Sequence, residues 1–235
     1  MLLAIDTSTP QIGLALYDGV QVLAEYLWAS KARHTVELAP AVADVLKHAG
    51  SKIDQVKALG VAIGPGSFTS LRVGLSFVKG LAFAQSLPVV GINTLDVVAA
   101  SQPANPGTRL VCLLPAGRGR LAVCWYGLPK PGHGAHRPAW QAEGSPVIMT
   151  AEALSAAVTQ DCLVCGDLNA VERQTLKKNQ YVRLVSPALS TRRPGILAEL
   201  AYIRWQAGSV DDASSLAPLY LHLADPIPDV SARAG

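Results

Sequence analysis

No stretch of the chain holds the roughly 18 uninterrupted apolar residues that a membrane-spanning helix needs, although half of its 235 residues are apolar. Charge is scarce as well, at 16% of residues, which argues against a solvated, disordered polymer and for a chain that closes at least one hydrophobic core. The opening "MLLAIDTSTP" has no basic residue and meets Asp6 after five residues, so no secretory signal is expected and the chain reads as cytoplasmic. Cysteine is limited to Cys112, Cys124, Cys162 and Cys165, all inside apolar runs, where buried free thiols are expected. "CLVC" at 162–165 has metal-ligand spacing, but strand residues three apart point to opposite faces, and no second pair completes a site.

Acidic residues thin out in the middle. Residues 101–150 carry Arg109, Arg118, Arg120, Lys130 and Arg137 against Glu143 alone, the one candidate basic patch. It lacks interleaved aromatics, so nucleic-acid contact and a solvated loop both stand as readings of it.

What is present is an alternation of strands and helices. "LLAIDTS", "QIGLALYD" and "VQVLAEYLW" read as a strand meander, with a hairpin turn at Asp18-Gly19. "HTVELAPAVADVLKHAG" places Val36, Ala39, Val42, Leu46 and Ala49 at helical spacing, with Pro40 predicting a kink or a start one turn later. The strand "VKALGVAIG", a glycine-rich turn, a helix to about Gln85, the strand "LPVVGI" and a helix from Thr94 follow. The order fits a mixed sheet flanked by helices. A proline-bearing break at 103–106 sets a boundary, giving an N-terminal lobe over 1–102, a C-terminal lobe over 107–223, and a Pro-rich tail at 224–235 expected to be disordered. In the second lobe the strands "TRLVCLLPA" and "RLAVCWYG" form a hairpin. Beyond them helices are predicted at 151–158, 168–178 and 190–207 and strands at 162–165 and 181–185.

The turn "GPGS" between a buried strand and a helix exposes the helix's first N–H groups, with Ser67 placed to cap them. It is not a Walker loop, which needs a Lys beside the helix start, where Phe68 and Thr69 stand here. "AIDTSTPQIGLAL" adds a carboxylate and three hydroxyls at the end of a buried strand, the way actin-like and sugar-kinase-like ATPases hold a phosphate and its metal. Asp6, Thr7, Ser8, Gly64, Gly66 and Ser67 are therefore the candidate phosphate site. Asp6 needs its own turn's donors or a cation.

These two segments, with "GPGSFTSLRVGLSFVKGLAFAQSLPVVGINTLD" above all, resemble the bacterial TsaB (YeaZ) family. The match is strong over 1–100; beyond it, "CGDLN" at 165–169 and "APLYLH" at 217–222 resemble later family segments. The resemblance implies a two-lobed actin/Hsp70-like (ribonuclease H-like) fold and a role beside TsaD, which makes threonylcarbamoyladenosine next to the tRNA anticodon. It implies no catalysis of its own, since Thr94 and Val98 stand where TsaD carries its two metal-binding histidines, with Asn93 retained. The ATP and metal of the complex would be bound by its partners, TsaD and TsaE, with tRNA contacted indirectly. Pro115, Gly117 and Arg120 replace polar residues that family members commonly carry. His133 and His136 in "HGAH" lack a third ligand and are expected to be solvent-exposed.

The helix from Phe68 is apolar on two sides: Leu71, Leu75, Val78 and Ala82 on one, Val73, Phe77, Leu81 and Ala84 on the other. One side covers the sheet and the other needs a lid. Val36, Val42, Leu46, Leu71, Val73, Phe77, Val78 and Leu81 form the pool for a helical interface that the resemblance assigns to homodimers and to the TsaD complex alike. The rivals are a nucleotide-binding protein or weak ATPase, a glycoprotease-type peptidase lacking ligands and nucleophile, and a direct tRNA binder using Arg109, Arg118, Arg120 and Arg137.

Overall fold

The computed structural model describes residues 1–30, 33–129 and 140–221. The first sheet is built from β1 (Leu2–Asp6), β2 (Gln11–Tyr17), β3 (Val22–Ala29), β4 (Ala58–Gly64) and β5 (Val89–Asn93), in the order β3-β2-β1-β4-β5. The three-stranded meander is antiparallel, and β4 and β5 add in parallel beyond β1. The second sheet is similar in plan. β6 (Arg109–Pro115) and β7 (Leu121–Gly127) form its hairpin, and β10 (Cys162–Gly166) and β11 (Val182–Leu184) extend it in parallel. Two short strands, β8 (Gln141–Ala142) and β9 (Val147–Met149), pair with the two ends of β7. Two mixed sheets flanked by helices make this the two-lobed actin/Hsp70-like architecture.

Side-chain alternation along β1 assigns the faces. Leu3 and Ile5 join Leu38, Val42, Leu75 and Val78 under α1 (His34–His48) and α2 (Phe68–Gln85). Leu2 and Ala4 point the other way, toward Leu197, Ala198 and Ala201 of α6 (Pro194–Gln206). That second face is paved with small residues, and a Cβ on Gly60 would lie 2.7 Å from that of Ala201. Helix α6 therefore sits tight on the first sheet, although it lies within the segment that the sequence places in the second lobe. α3 (Thr94–Ala100) joins the lobes, with Val97 in the cluster under α6 and Leu95, Val98 and Ala99 in the core of the second sheet. α4 (Ala151–Ala157) and α5 (Ala170–Lys177) cover that sheet's other face.

Two helical expectations change. Pro40 lies inside α1, which starts at His34; its exposed position lets water serve the carbonyl that loses its amide partner. The buried face of α1 is His34, Leu38, Val42, Val45 and Leu46, so Val36, 58% exposed, and Ala39 face outward.

The two glycines of α2 should respond oppositely to alanine. Gly80 is exposed with open space around it, and Gly80→Ala should stabilise the fold by about 0.5–1 kcal/mol. A Cβ on Gly74 would collide with the Thr7 hydroxyl, which is held by a 2.7 Å bond to the Ser70 carbonyl. Gly74→Ala should cost about 1–3 kcal/mol; urea melts of both variants provide the check.

Candidate functional site

The ends of β1 and β4 bring all six phosphate-site candidates into one corner. Gly64 has φ +107°, and a Cβ there would press on the Leu219 carbonyl at 3.0 Å, so glycine is required. Gly66 lacks the side chain that would strike the Ser8 carbonyl, and the Ser67 N–H donates to that carbonyl at 2.7 Å. The two turns are thus stitched to each other. The Ser67 hydroxyl caps α2, accepting from the Ser70 N–H at 3.5 Å and from the Ser70 hydroxyl at 3.0 Å.

Asp6 is fully engaged. One carboxylate oxygen accepts from the Ser8 N–H at 2.8 Å and the Ser8 hydroxyl at 2.5 Å; the other accepts from the Arg192 Nε at 3.2 Å. Arg192 is 1% exposed, and it also donates to Asp167 at 2.6 Å and to the Thr9 hydroxyl. Burial by itself would weaken the hold of this guanidinium on its proton, but Asp6 and then Asp167 outweigh it and raise the pKa above the ordinary arginine value. Sequence reasoning offered Asp6 its own turn or a cation as partner. The turn does contribute, but the cation is a side chain 186 residues away. The only local hint was the need itself, a carboxylate in an apolar run.

The remaining candidates separate. Thr94 accepts the Gly64 N–H at 3.1 Å and Val98 is packed in the second core, so both positions have structural work. The basic patch divides. Arg109 pairs with Glu143 and lies over Trp125 at 4.9 Å. Arg118 and Arg120 lie beyond the opposite end of the seven-residue β6, about 20 Å away. Lys130, His133, His136, Arg137 and the tail 224–235 lie outside the described residues. Cys112, Cys124 and Cys165 share one buried face of the second sheet, and Cys162 the other. Burial pushes the Cys162 and Cys165 thiols up to about 11 and Cys112 well above the usual range, so thiolate chemistry is suppressed.

The interface pool also divides. Val42, Leu46, Leu71 and Val78 are core residues, each at most 7% exposed, because they lie on the faces of α1 and α2 turned to the sheet. Val36, Val73, Phe77 and Leu81 remain wholly or partly at the surface. Between the helices runs an apolar groove of about 470 Å³, lined by His34, Leu38, Phe68, Arg72, Val73 and Phe77 among others. Phe68 at 51% and Phe83 at 92% exposure extend the apolar surface of α2, and sequence periodicity missed both.

A family model described as TsaD, tRNA N6-adenosine threonylcarbamoyltransferase, matches residues 21–200. The Escherichia coli tRNA threonylcarbamoyladenosine biosynthesis protein TsaB is 31% identical over 152 residues, 64% of this chain and 63% of that protein. The Bacillus subtilis TsaB is 36% identical over 100 residues, 43% of this chain and 44% of its own length. The solved YeaZ from Pseudomonas aeruginosa superposes with a TM-score of 0.72 at 25% identity, over 93% of this chain and 99% of that one. The chain belongs to the TsaB (YeaZ) family. Its match thus spans less than two thirds of the length of these two curated TsaB relatives.

Within this TsaB-type fold the Arg192 corner is a structural lock. Arg192→Met would leave Asp6 and Asp167 as buried or half-buried carboxylates without their cation. Its expected cost is about 3–5 kcal/mol, read from urea melts; a loss below about 1 kcal/mol, within the range of exposed pairs, would show that the corner is not a lock.

Proposed function

We propose that this chain is a non-catalytic subunit of the assembly that transfers a threonylcarbamoyl group to the adenosine beside the tRNA anticodon. It binds TsaD and orders the TsaD active site, with TsaE as a further member. ATP and metal are held by those partners, the chain contributing no cofactor of its own, and tRNA is met indirectly. The setting is cytoplasmic; among the described residues no helix is long and apolar enough to cross a membrane.

The observation that carries the reading is the apolar groove between α1 and α2, lined by Phe77 among others, together with the exposed Val36 and Phe83 on the same two helices. Membership of the TsaB family supplies the partner. Because one surface would serve both pairings, homodimer and heterodimer exclude each other. The nucleotide-binding alternative is disfavoured by the corner itself, where Asp6 is held by Arg192 and the Ser67 amide by Ser8. Ordering a partner requires only that the groove bind one TsaD conformation better than another.

The test is the rate of threonylcarbamoyl transfer to tRNA by the cognate TsaD and TsaE, with and without this chain and with this chain alone. Transfer is expected only when this chain and TsaD are both present. Val36→Glu, on the exposed face, and Phe77→Glu should each weaken co-elution with TsaD at least tenfold, about 1.4 kcal/mol, while far-UV circular dichroism stays native. Transfer that is independent of this chain, or unchanged binding by both variants, would sink the proposal.

A further inference from the structure

After α6 the chain runs back over the first lobe and reaches the mouth of the groove between α1 and α2. The Asp211 N–H donates to the Val89 carbonyl at 2.9 Å, and the Asp211 carboxylate accepts the Gly91 N–H at 2.7 Å, which ties this strap to the edge strand β5. Leu216 packs against the core under α1 and α2, the Ser214 carbonyl accepts from the Lys79 Nζ at 3.1 Å, and the Leu219 N–H donates to the Ile63 carbonyl at 2.7 Å. Tyr220 is thereby delivered to the first turns of α2.

There it completes a three-member stack. Its ring lies against Phe68, with centroids 5.0 Å apart and planes at 34°, and its hydroxyl accepts the Arg72 Nε–H at 2.9 Å. The Arg72 guanidinium lies over the Phe68 ring, its central carbon 3.7 Å from the centroid. One hydrogen bond and one cation–π contact thus fix a side chain that would otherwise sample many rotamers. Both terminal nitrogens stay without a partner among the described residues, and Arg72 enters no ion pair there. Among the described residues that line the groove, Arg72 is the one lysine or arginine, and none is a carboxylate. Glu37, the acid in the first turn of α1, is already engaged, by the Trp28 Nε1 at 3.0 Å and by Arg33 at 3.9 Å.

A partner that fills the groove takes water away from this guanidinium, and a desolvated cation needs an acceptor. The groove has no carboxylate to give, so the partner must bring one. The free end of the fork matches a carboxylate with two parallel N–H donors. Leu38, Val73 and Phe77 in the same groove call for the apolar face of a helix, and a single cation is too little for a nucleic-acid backbone. We infer that Arg72 is the specificity-determining residue of the groove, receiving an aspartate or glutamate carried by the partner's apolar helix, and that Tyr220 is a positioning residue that presets Arg72 for it. Both roles rest on the groove being the TsaD-binding surface. A fork already held in place loses less conformational freedom on association than a free one.

Isothermal titration of the full chain into the cognate TsaD, at low salt and at about 0.5 M salt, reads both roles. Arg72→Gln, with native far-UV circular dichroism, should weaken binding about tenfold at low salt, the scale of a hydrogen bond to a charged group, and should flatten the fall of affinity with salt. Arg183→Gln, on β11 in the second lobe, removes the same charge and should change neither. Tyr220→Phe keeps a ring on Phe68 but lacks the hydroxyl; it should cost about threefold alone and nothing in the Arg72→Gln background, because it acts through Arg72. Unchanged affinity in Arg72→Gln overturns the inference and leaves the TsaD reading standing. A weaker Arg72→Gln with unchanged salt dependence would replace the carboxylate by a neutral acceptor, and a Tyr220→Phe loss that persists without Arg72 would make Tyr220 a contact of its own; either overturns the assignment concerned. Absence of binding by the unaltered chain would overturn the TsaD reading, and this inference with it.

Discussion

A guanidinium that water cannot reach must be surrounded by its own acceptors, and Arg192 finds them on two segments remote from its own. Asp6 and Thr9 come from the first hairpin and Asp167 from the loop after β10, while Arg192 itself stands just ahead of α6. None of these contacts is affordable alone, because each charge left without the others is desolvated and uncompensated. The segments therefore assemble together, and the junction of the two lobes acquires a fixed geometry. The same contact fills the place where Asp6 would otherwise face a ligand.

The return of α6 to the first sheet has the same logic at the level of packing. Its landing face carries Ala4, Ala15, Ala58, Gly60 and Ala62, whereas the opposite face under α1 and α2 carries leucines, isoleucines and valines. A sheet with one shallow face and one deep face tells its helices apart: a close-packed helix fits one side and a looser pair the other. Because α6 follows the second sheet in sequence, the lobes interlock rather than lying end to end. Arg192 is placed beside its partners by that return.

Much of this was legible from local pattern. The apolar runs of β1 and β2 and the capped turn before α2 follow from local composition, and the core stripe of Leu71, Leu75, Val78 and Ala82 from a period of 3.6 residues. What escaped has no local signature. The Asp6–Arg192 pair spans 186 residues, and two consecutive arginines before a proline look like solvated charge. On α1, Val36 and Ala39 share spacing with the true core face, and only the crossing of α1 over β2 decides which apolar stripe is buried. The break at 103–106 resembles a clean boundary because linkers are recognised by composition, which is blind to a helix that crosses back. β8 and β9, two and three residues long, are too short to show a period at all.

The consequence for function is a division of surfaces. Where the ends of two buried strands meet, the polar groups are satisfied within the chain, so that corner offers rigidity rather than reactivity. Rigidity has value to a protein that acts by binding, since a platform already ordered gives up less conformational entropy on association and keeps more of its differential affinity. The groove between α1 and α2 rests on that ordered sheet, with Leu38 reaching from the groove into the core that contains Ile5. A second cavity lies at the other side of the lock, lined in part by Asp167, which also holds Arg192.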